Sequence, residues 1–105
     1  CLRDFIHVKD LANAHIIALK KIKKIKGHIP INLGLGKCIS VLDIINLYEK
    51  INKFKVDFKF TKKRKGDVAV SYADNKRAIR LLGWKPIYTY EDMVHDSWQA
   101  YLKNN

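Results

Sequence analysis

Residues that favour the start of a helix stand at four places in this 105-residue chain, and they leave only short pieces between them for strands. Ser40 and Thr89 begin capping-box patterns, because Asp43 and Asp92 follow them three residues later. Apolar residues at helical spacing come after each start. We therefore expect helices after Asp10, Ser40, Asp74 and Thr89, the first running to about Lys26 and the third ending at Gly83.

Three stretches between these helices are predicted to be extended. Residues 28–33 form a short strand with Pro30 near its start, and residues 56–60 alternate apolar and charged side chains as a half-buried strand does. Residues 68–72 make a shorter extended segment after a basic loop at 62–67. This order predicts one mixed α/β domain with short strands and about four helices. Because an independent doubly wound sheet needs more strands, we expect these to pair with segments outside the chain.

The periodicity also predicts which helix faces are buried. In the first helix Leu11, His15, Ala18 and Ile22 share one stripe, so His15 is expected in the core. The third helix is expected to bury Ala78, Leu81 and Leu82, and the last helix Val94, Trp98, Tyr101 and Leu102.

Composition excludes some classes of protein. No apolar run approaches the roughly 20 residues that span a bilayer, so no membrane partner is expected. The two cysteines, Cys1 and Cys38, form no disulfide or metal framework, and the four histidines lack metal-ligand spacing, so no metal site is expected. The formal net charge of +11 favours polyanionic partners, but lysines beside isoleucine and asparagine fit a merely soluble surface as well.

Gly34-Leu35-Gly36 lies between a predicted strand and a predicted helix, where dinucleotide-binding proteins hold a pyrophosphate. The full fingerprint needs a third glycine, and position 39 is isoleucine. We therefore expect no cofactor-binding residue in this chain.

Three motifs carry a resemblance to a known family: residues 3–12 (RDFIHVKDLA), residues 64–74 (RKGDVAVSYAD) and residues 82–84 (LGW). In this order and spacing they resemble the C-terminal third of UDP-glucose 4-epimerases, which are NAD-dependent isomerases of the extended short-chain dehydrogenase/reductase superfamily. The resemblance implies that residues 1–105 are a C-terminal UDP-sugar-binding portion, and that the NAD-binding Rossmann domain is absent. It also implies an enzyme that interconverts UDP-glucose and UDP-galactose. The absence of a cysteine framework suits a reducing cytosol, so a cytoplasmic location is expected.

The resemblance assigns phosphate and nucleotide contacts. Arg3 and Arg64 match the two arginines that face the UDP diphosphate, and guanidinium groups pair well with phosphate oxygens. Asp67 matches the acidic residue near the ribose, and Val41 an apolar position near the uracil. Gly66 lets the backbone approach the ligand closely.

The resemblance also assigns residues nearer the sugar. Asn32 belongs to the family's N-L-G segment on the nucleotide-sugar side. Phe5 stands where many members have tyrosine, so the ring is kept and a hydroxyl contact is lost. Ser71 occupies a position bordering the sugar pocket, and its small side chain leaves room for an N-acetyl group.

The family's catalytic Tyr-x-x-x-Lys pair is not expected here. Tyr72 and Lys76 have that spacing, but Asp74 is a predicted N-cap, which places Tyr72 before the helix. We expect no catalytic residue in this chain and no epimerase activity from it alone.

Two alternatives remain. The first is a portion of a sibling nucleotide-sugar dehydratase or decarboxylase, since these enzymes share the first and last motifs. The second is a freestanding basic module that binds nucleic acid through one patch formed by lysines 20–26 and residues 62–65. It is disfavoured because no nucleic-acid-binding motif is present. The chain alone is expected to self-associate, because its strand edges and apolar faces lack partners, and the whole enzyme to be a homodimer.

Overall fold

The computed structural model describes residues 2–62, 65–66 and 68–104. These residues form a mixed α/β fold with a small three-stranded sheet. The elements in chain order are β1 (Leu2–Arg3), α1 (Val8–Lys21), a 3-10 turn (Ile22–Lys24), β2 (Ile39–Ser40), α2 (Val41–Asn52), β3 (Val70–Ser71), a π-helical segment (Ala78–Leu82) and α3 (Tyr90–Lys103). The α/β prediction with about four helices is confirmed.

The sheet brings three distant parts of the chain together. Its strand order is β2-β1-β3, with β1 in the centre. β1 pairs antiparallel with β2, so that Arg3 lies opposite Ile39, and parallel with β3, so that Arg3 lies beside Ser71. A hydrogen bond of 2.7 Å from the Leu2 amide to the Ala69 carbonyl fixes the register on the parallel side.

Two of the predicted helix starts are confirmed in atomic detail. Ser40 Oγ accepts a hydrogen bond from the Asp43 amide at the start of α2. Thr89 forms a reciprocal capping box with Asp92 at the start of α3, in which each side chain accepts from the other residue's backbone amide. Such caps satisfy amides that would otherwise lack partners in the first turn.

The predicted start of α1 at Asp10 is wrong. His7 is the N-cap, and its Nδ1 accepts from the Lys9 amide at 3.0 Å. Asp10 lies in the first turn instead, fully buried, and its carboxylate accepts from the amides of Ile87 and Tyr88. Histidine is an uncommon cap, and the long-range bonds of Asp10 cannot be seen in local sequence.

The third predicted helix exists, but most of it is π-helical and not α-helical. Asp74 Oδ1 accepts from the Lys76 amide, which matches its expected capping role. Two α-helical residues, 76 and 77, lead into the π-helical segment, and Gly83 ends it with a positive φ of 66°. A left-handed residue at this position favours glycine.

The predicted strands at 28–33 and 56–60 do not form among the described residues, whereas the extended segment at 68–72 contains β3. The Pro30 carbonyl accepts from the Arg77 guanidinium, and the Val56 amide donates to the Glu49 carboxylate at 2.7 Å. Side chains thus take backbone groups that a strand partner would take. Alternating polarity predicted a half-buried strand at 56–60, but Phe58 and Phe60 are exposed.

The core is small and centres on Trp84. It contains Ala14, Ala78, Leu82 and Trp84, and the Trp84 indole N–H donates to the Asp10 carbonyl at 3.0 Å. A second packed region joins α2 to α3, where the Trp98 ring stacks on Phe54 with centroids 4.3 Å apart. Trp84 is therefore the anchor of this core.

The predicted buried stripe of α1 is wrong. The helix turns Asp10, Ala14 and Ile17 inward, whereas His15 is exposed and its Nδ1 bonds its own helix at the Leu11 carbonyl. The opposite side carries Val8, Ala12, Ile16 and Leu19, which are all exposed, Leu19 by 69%. We call these four residues the outer face of α1. A helix that is apolar on both sides is typical of a buried helix, and here only one side is covered.

The last helix likewise departs from expectation, because Tyr101 and Leu102 are exposed while Val94 is buried. No helix in the described part of the chain is long and apolar enough to cross a membrane.

Candidate functional site

The sheet register brings together three of the predicted site residues. Arg3 and Ser71 hold paired positions on neighbouring parallel strands, so their side chains leave the sheet on the same side. Asn32 approaches from the segment that precedes the glycine turn. All three line one open cavity of about 350 Å³, together with Asp4, Leu33, Tyr72 and Ala73.

Arg3 supplies the positive charge of this cavity. Its side chain is half-buried, and one guanidinium nitrogen donates to the Leu2 carbonyl at 2.8 Å. A guanidinium group has five N–H donors in a fixed fork, so this one bond orients Arg3 and leaves donors for an anion. The cavity can therefore hold a phosphate group beside hydroxyl and amide side chains.

Asp4, which the sequence analysis did not single out, holds the walls of the cavity together. One carboxylate oxygen accepts from the Leu35 amide at 2.9 Å. The other accepts from the Gly36 amide at 3.0 Å and the Ala73 amide at 3.1 Å. Two sequence signals could have indicated this link. They are the acidic residue next to Arg3 and the glycine turn, whose backbone amides need acceptors.

The glycine turn is packed against that carboxylate. A Cβ atom at Gly34 would lie 2.5 Å from Asp4 Oδ2 and 2.8 Å from the Ala73 Cβ atom, so only glycine fits. On the other side of the turn, the side-chain amide of Asn75 donates to the Gly34 carbonyl at 2.9 Å. The Leu35 and Gly36 amides, which could otherwise bind a pyrophosphate, are thus already bonded to Asp4.

The other predicted site residues lie apart from this cavity or outside the described residues. Phe5 lines a separate, mostly apolar cavity of about 580 Å³ between α1, α2 and α3. Val41 is the first residue of α2 and is half exposed, and Gly66 is an exposed turn residue with a φ of 89°. Arg64 and Asp67 lie outside the described residues, as does Cys1.

Known proteins share both the sequence and the geometry of this chain. No family model matches it. A UDP-glucose 4-epimerase from Bacillus subtilis is 41% identical over 103 residues, which cover 98% of this chain and 30% of that protein. The chain matches the C-terminal portion of the UDP-glucose 4-epimerases.

Solved epimerase structures agree with this assignment. The UDP-glucose 4-epimerase of Stenotrophomonas maltophila, solved with NAD and formylated UDP-arabinopyranose, is 39% identical with a TM-score of 0.88 over 99% of this chain and 32% of that one. The Bifidobacterium longum enzyme, solved with NAD⁺ and UDP, is 39% identical with a TM-score of 0.83, over 98% of this chain and 31% of that one. The chain spans about 30% of the length of its curated relatives.

The structure places Tyr72 before the third helical turn, as the sequence predicted. Tyr72 is exposed on extended backbone before the helical turn, and Lys76 is the turn's first residue. The two side chains therefore do not share a helix face.

The chain also contains a buried histidine, His7, whose contacts the sequence did not reveal. His7 accepts through Nδ1, so its Nε2–H donates to the Asp96 carboxylate at 2.8 Å, and its ring stacks on Tyr88. His95 donates to the other Asp96 oxygen. These hydrogen bonds, that from His95 first and then that from His7, lower the pKa of Asp96 below its ordinary 3.8.

Proposed function

We propose that this chain is the UDP-sugar-binding portion of a UDP-glucose 4-epimerase that interconverts UDP-glucose and UDP-galactose. The observation that carries the proposal is the meeting of Arg3, Asn32 and Ser71 around one polar cavity, in a chain about 40% identical to epimerases over nearly its whole length. The Bifidobacterium longum relative was solved with UDP, which is the ligand proposed here.

Within that cavity, we assign Arg3 to the diphosphate and Ser71 to the sugar side, with Asn32 beside them. Arg64 is proposed as the second phosphate ligand, with Asp67 at the ribose and Gly66 giving close backbone approach. Val41 is proposed near the uracil, and Phe5 contributes an apolar ring. Binding that is equally strong in ground and transition states lowers KM without raising kcat, so this portion sets affinity.

The chemistry belongs to another part of the full-length enzyme. Two observations in the described residues support this: the Leu35 and Gly36 amides are bonded to Asp4, and Tyr72 lies before the helical turn that begins at Lys76. We therefore propose that NAD is bound, and that hydride transfer takes place, outside this chain. The comparisons favour neither the sibling-enzyme nor the nucleic-acid alternative.

The test is UDP binding by the full-length enzyme with Arg3→Ala and Arg64→Ala. Each change removes a charge-assisted contact, so the Kd for UDP is expected to rise by about tenfold to a hundredfold. The matched control is Arg80→Ala, because Arg80 lies on the π-helical segment and lines a different cavity. Unchanged affinity in folded Arg3→Ala and Arg64→Ala enzymes would refute the phosphate assignment.

We also propose that the isolated chain self-associates through the outer face of α1, because four apolar side chains there are exposed together. The full-length enzyme is proposed to be a cytoplasmic homodimer in which this face is covered.

A further inference from the structure

The strongest unassigned feature is the carboxylate of Asp4, because it joins three separate segments at the candidate site. Asp4 follows β1 directly, Leu35 and Gly36 belong to the glycine turn, and Ala73 follows β3. The sequence distances are 31, 32 and 69 residues. Each bond to a charged acceptor is stronger than a neutral one, so a single side chain carries much of this connection.

Each of these segments carries one of the predicted ligand contacts. Arg3 is adjacent to Asp4, Asn32 precedes Gly34 by two residues, and Ser71 precedes Ala73 by two. All three line the same 350 Å³ cavity. Pairing between β1 and β3 already holds Arg3 beside Ser71, so the attachment to Asp4 mainly sets the distance of Asn32 from these two side chains.

We infer that Asp4 is a positioning residue for UDP-sugar binding: it holds Arg3, Asn32 and Ser71 at the spacing that the nucleotide sugar requires. This inference rests on the proposed function. A bare carboxylate on the wall of a diphosphate site would repel the ligand. Here three amide donors stabilise its charge, and the guanidinium of the neighbouring Arg3 provides the positive charge that attracts phosphate.

The experiment uses the full-length enzyme with Asp4→Asn, which keeps the side-chain size. An asparagine has one acceptor oxygen, so at least one of the three amides faces an NH₂ group and loses its partner. We expect the Kd for UDP and the KM for UDP-galactose to rise by about tenfold or more, with kcat changed by less than about threefold, because misplaced ligands weaken ground-state and transition-state binding together.

The matched control is Asp10→Asn. Asp10 also accepts from two backbone amides, those of Ile87 and Tyr88, but it is buried beside Trp84 and does not line the cavity. We expect this variant to lower the unfolding midpoint while its folded form keeps the UDP affinity of the unaltered enzyme within about twofold, since stability and binding are lost at different sites. An equal rise of Kd in both variants would reduce the Asp4 effect to general destabilisation and overturn the inference.

Asn75→Ala serves as the second variant in case Asp4→Asn does not fold. It releases the Gly34 carbonyl from the other side of the turn and changes no charge. The inference is overturned if the UDP affinity is unchanged in folded Asp4→Asn or, where that variant does not fold, in Asn75→Ala. It is also overturned if Asp4→Asn binds UDP more tightly, because that result would show that charge repulsion between Asp4 and the ligand dominates. If the unaltered enzyme itself fails to bind UDP, the proposed function fails instead.

Discussion

Gly34→Ala should destabilise this chain more than any other substitution of one of its described glycines by alanine. The new methyl carbon would lie 2.5 Å from Asp4 Oδ2 and 2.8 Å from the Ala73 Cβ atom, where ordinary contacts are 3.4–4 Å. Gly34 has no positive φ, so the whole cost comes from space. Crowding of this kind costs about 1–3 kcal/mol, and displacing the carboxylate would add the loss of a charge-assisted bond of about 1.5–3 kcal/mol.

We therefore expect a loss of about 3 kcal/mol or more in the free energy of unfolding. Gly27→Ala provides the control, because at Gly27 the cost comes from backbone conformation and not from crowding. Gly27 has a φ of 75° and open space around its Cβ position. Only the left-handed backbone is penalised there, at about 1–2 kcal/mol. The assay is urea unfolding followed by the fluorescence of Trp84, which is buried, with amide exchange at Leu35, Gly36 and Ala73 as the local measurement.

A double-mutant cycle identifies the source of the strain. On an Asp4→Ala background two of the three closest atoms are gone, so Gly34→Ala should cost less there than in the unaltered chain. The reasoning is refuted if Gly34→Ala costs no more than Gly27→Ala, or if its cost is the same on both backgrounds.

Three further predictions concern the sugar, acid stability and association. In the full-length enzyme Ser71 should admit UDP-N-acetylhexosamines, and Ser71→Tyr should lower kcat/KM for them by about tenfold or more relative to UDP-galactose; an unchanged ratio would disprove this. Hydrogen bonds from His95 and His7 lower the pKa of Asp96 below 3.8, so the Asp96 carboxylate stabilises the fold above pH 3.8 and this stabilisation is lost as the pH falls through the lowered pKa. Asp96→Asn should therefore weaken the pH dependence of the unfolding free energy in this acid range. A variant whose unfolding free energy falls with pH as steeply as that of the unaltered chain would count against this prediction. In sedimentation, Leu19→Glu should shift the isolated chain toward monomer, whereas Lys20→Glu, at an exposed neighbouring position, should not. Equal shifts in both variants would contradict self-association through the outer face of α1.

Local sequence signals predicted those features whose cause is itself local. The caps at Ser40 and Thr89, the helix end at Gly83 and the extended segment around Ser71 each depend on residues within a few positions. The class of fold was also predictable. The cavity around Arg3 was not, because it depends on the register between strands almost 70 residues apart.

Two of the errors share one physical origin, which is that a side-chain contact can override a local pattern. Asp10 has the sequence position of an N-cap, yet its carboxylate bonds amides 77 and 78 residues away. Residues 56–60 alternate as a strand does, but a strand forms only with a partner, and the Val56 amide bonds Glu49 instead. The stripe predicted for α1 failed because both sides of that helix are apolar and periodicity cannot choose between them.

The motif at residues 3–12 is best explained as a set of attachments to distant segments. Asp4 bonds the glycine turn and Ala73, His7 bonds Asp96 on α3, and the carboxylate and carbonyl of Asp10 bond residues 84, 87 and 88. Its acidic and imidazole groups are thus engaged in holding the fold, whereas Arg3, the cation of this motif that lines the cavity, keeps donors for a ligand. This division explains why a motif so rich in ionisable residues can be matched across an enzyme family even though most of those residues hold the fold together. It also predicts that changes at Asp10 alter stability, whereas changes at Arg3 and Asp4 alter UDP affinity, which is the contrast that the paired variants measure.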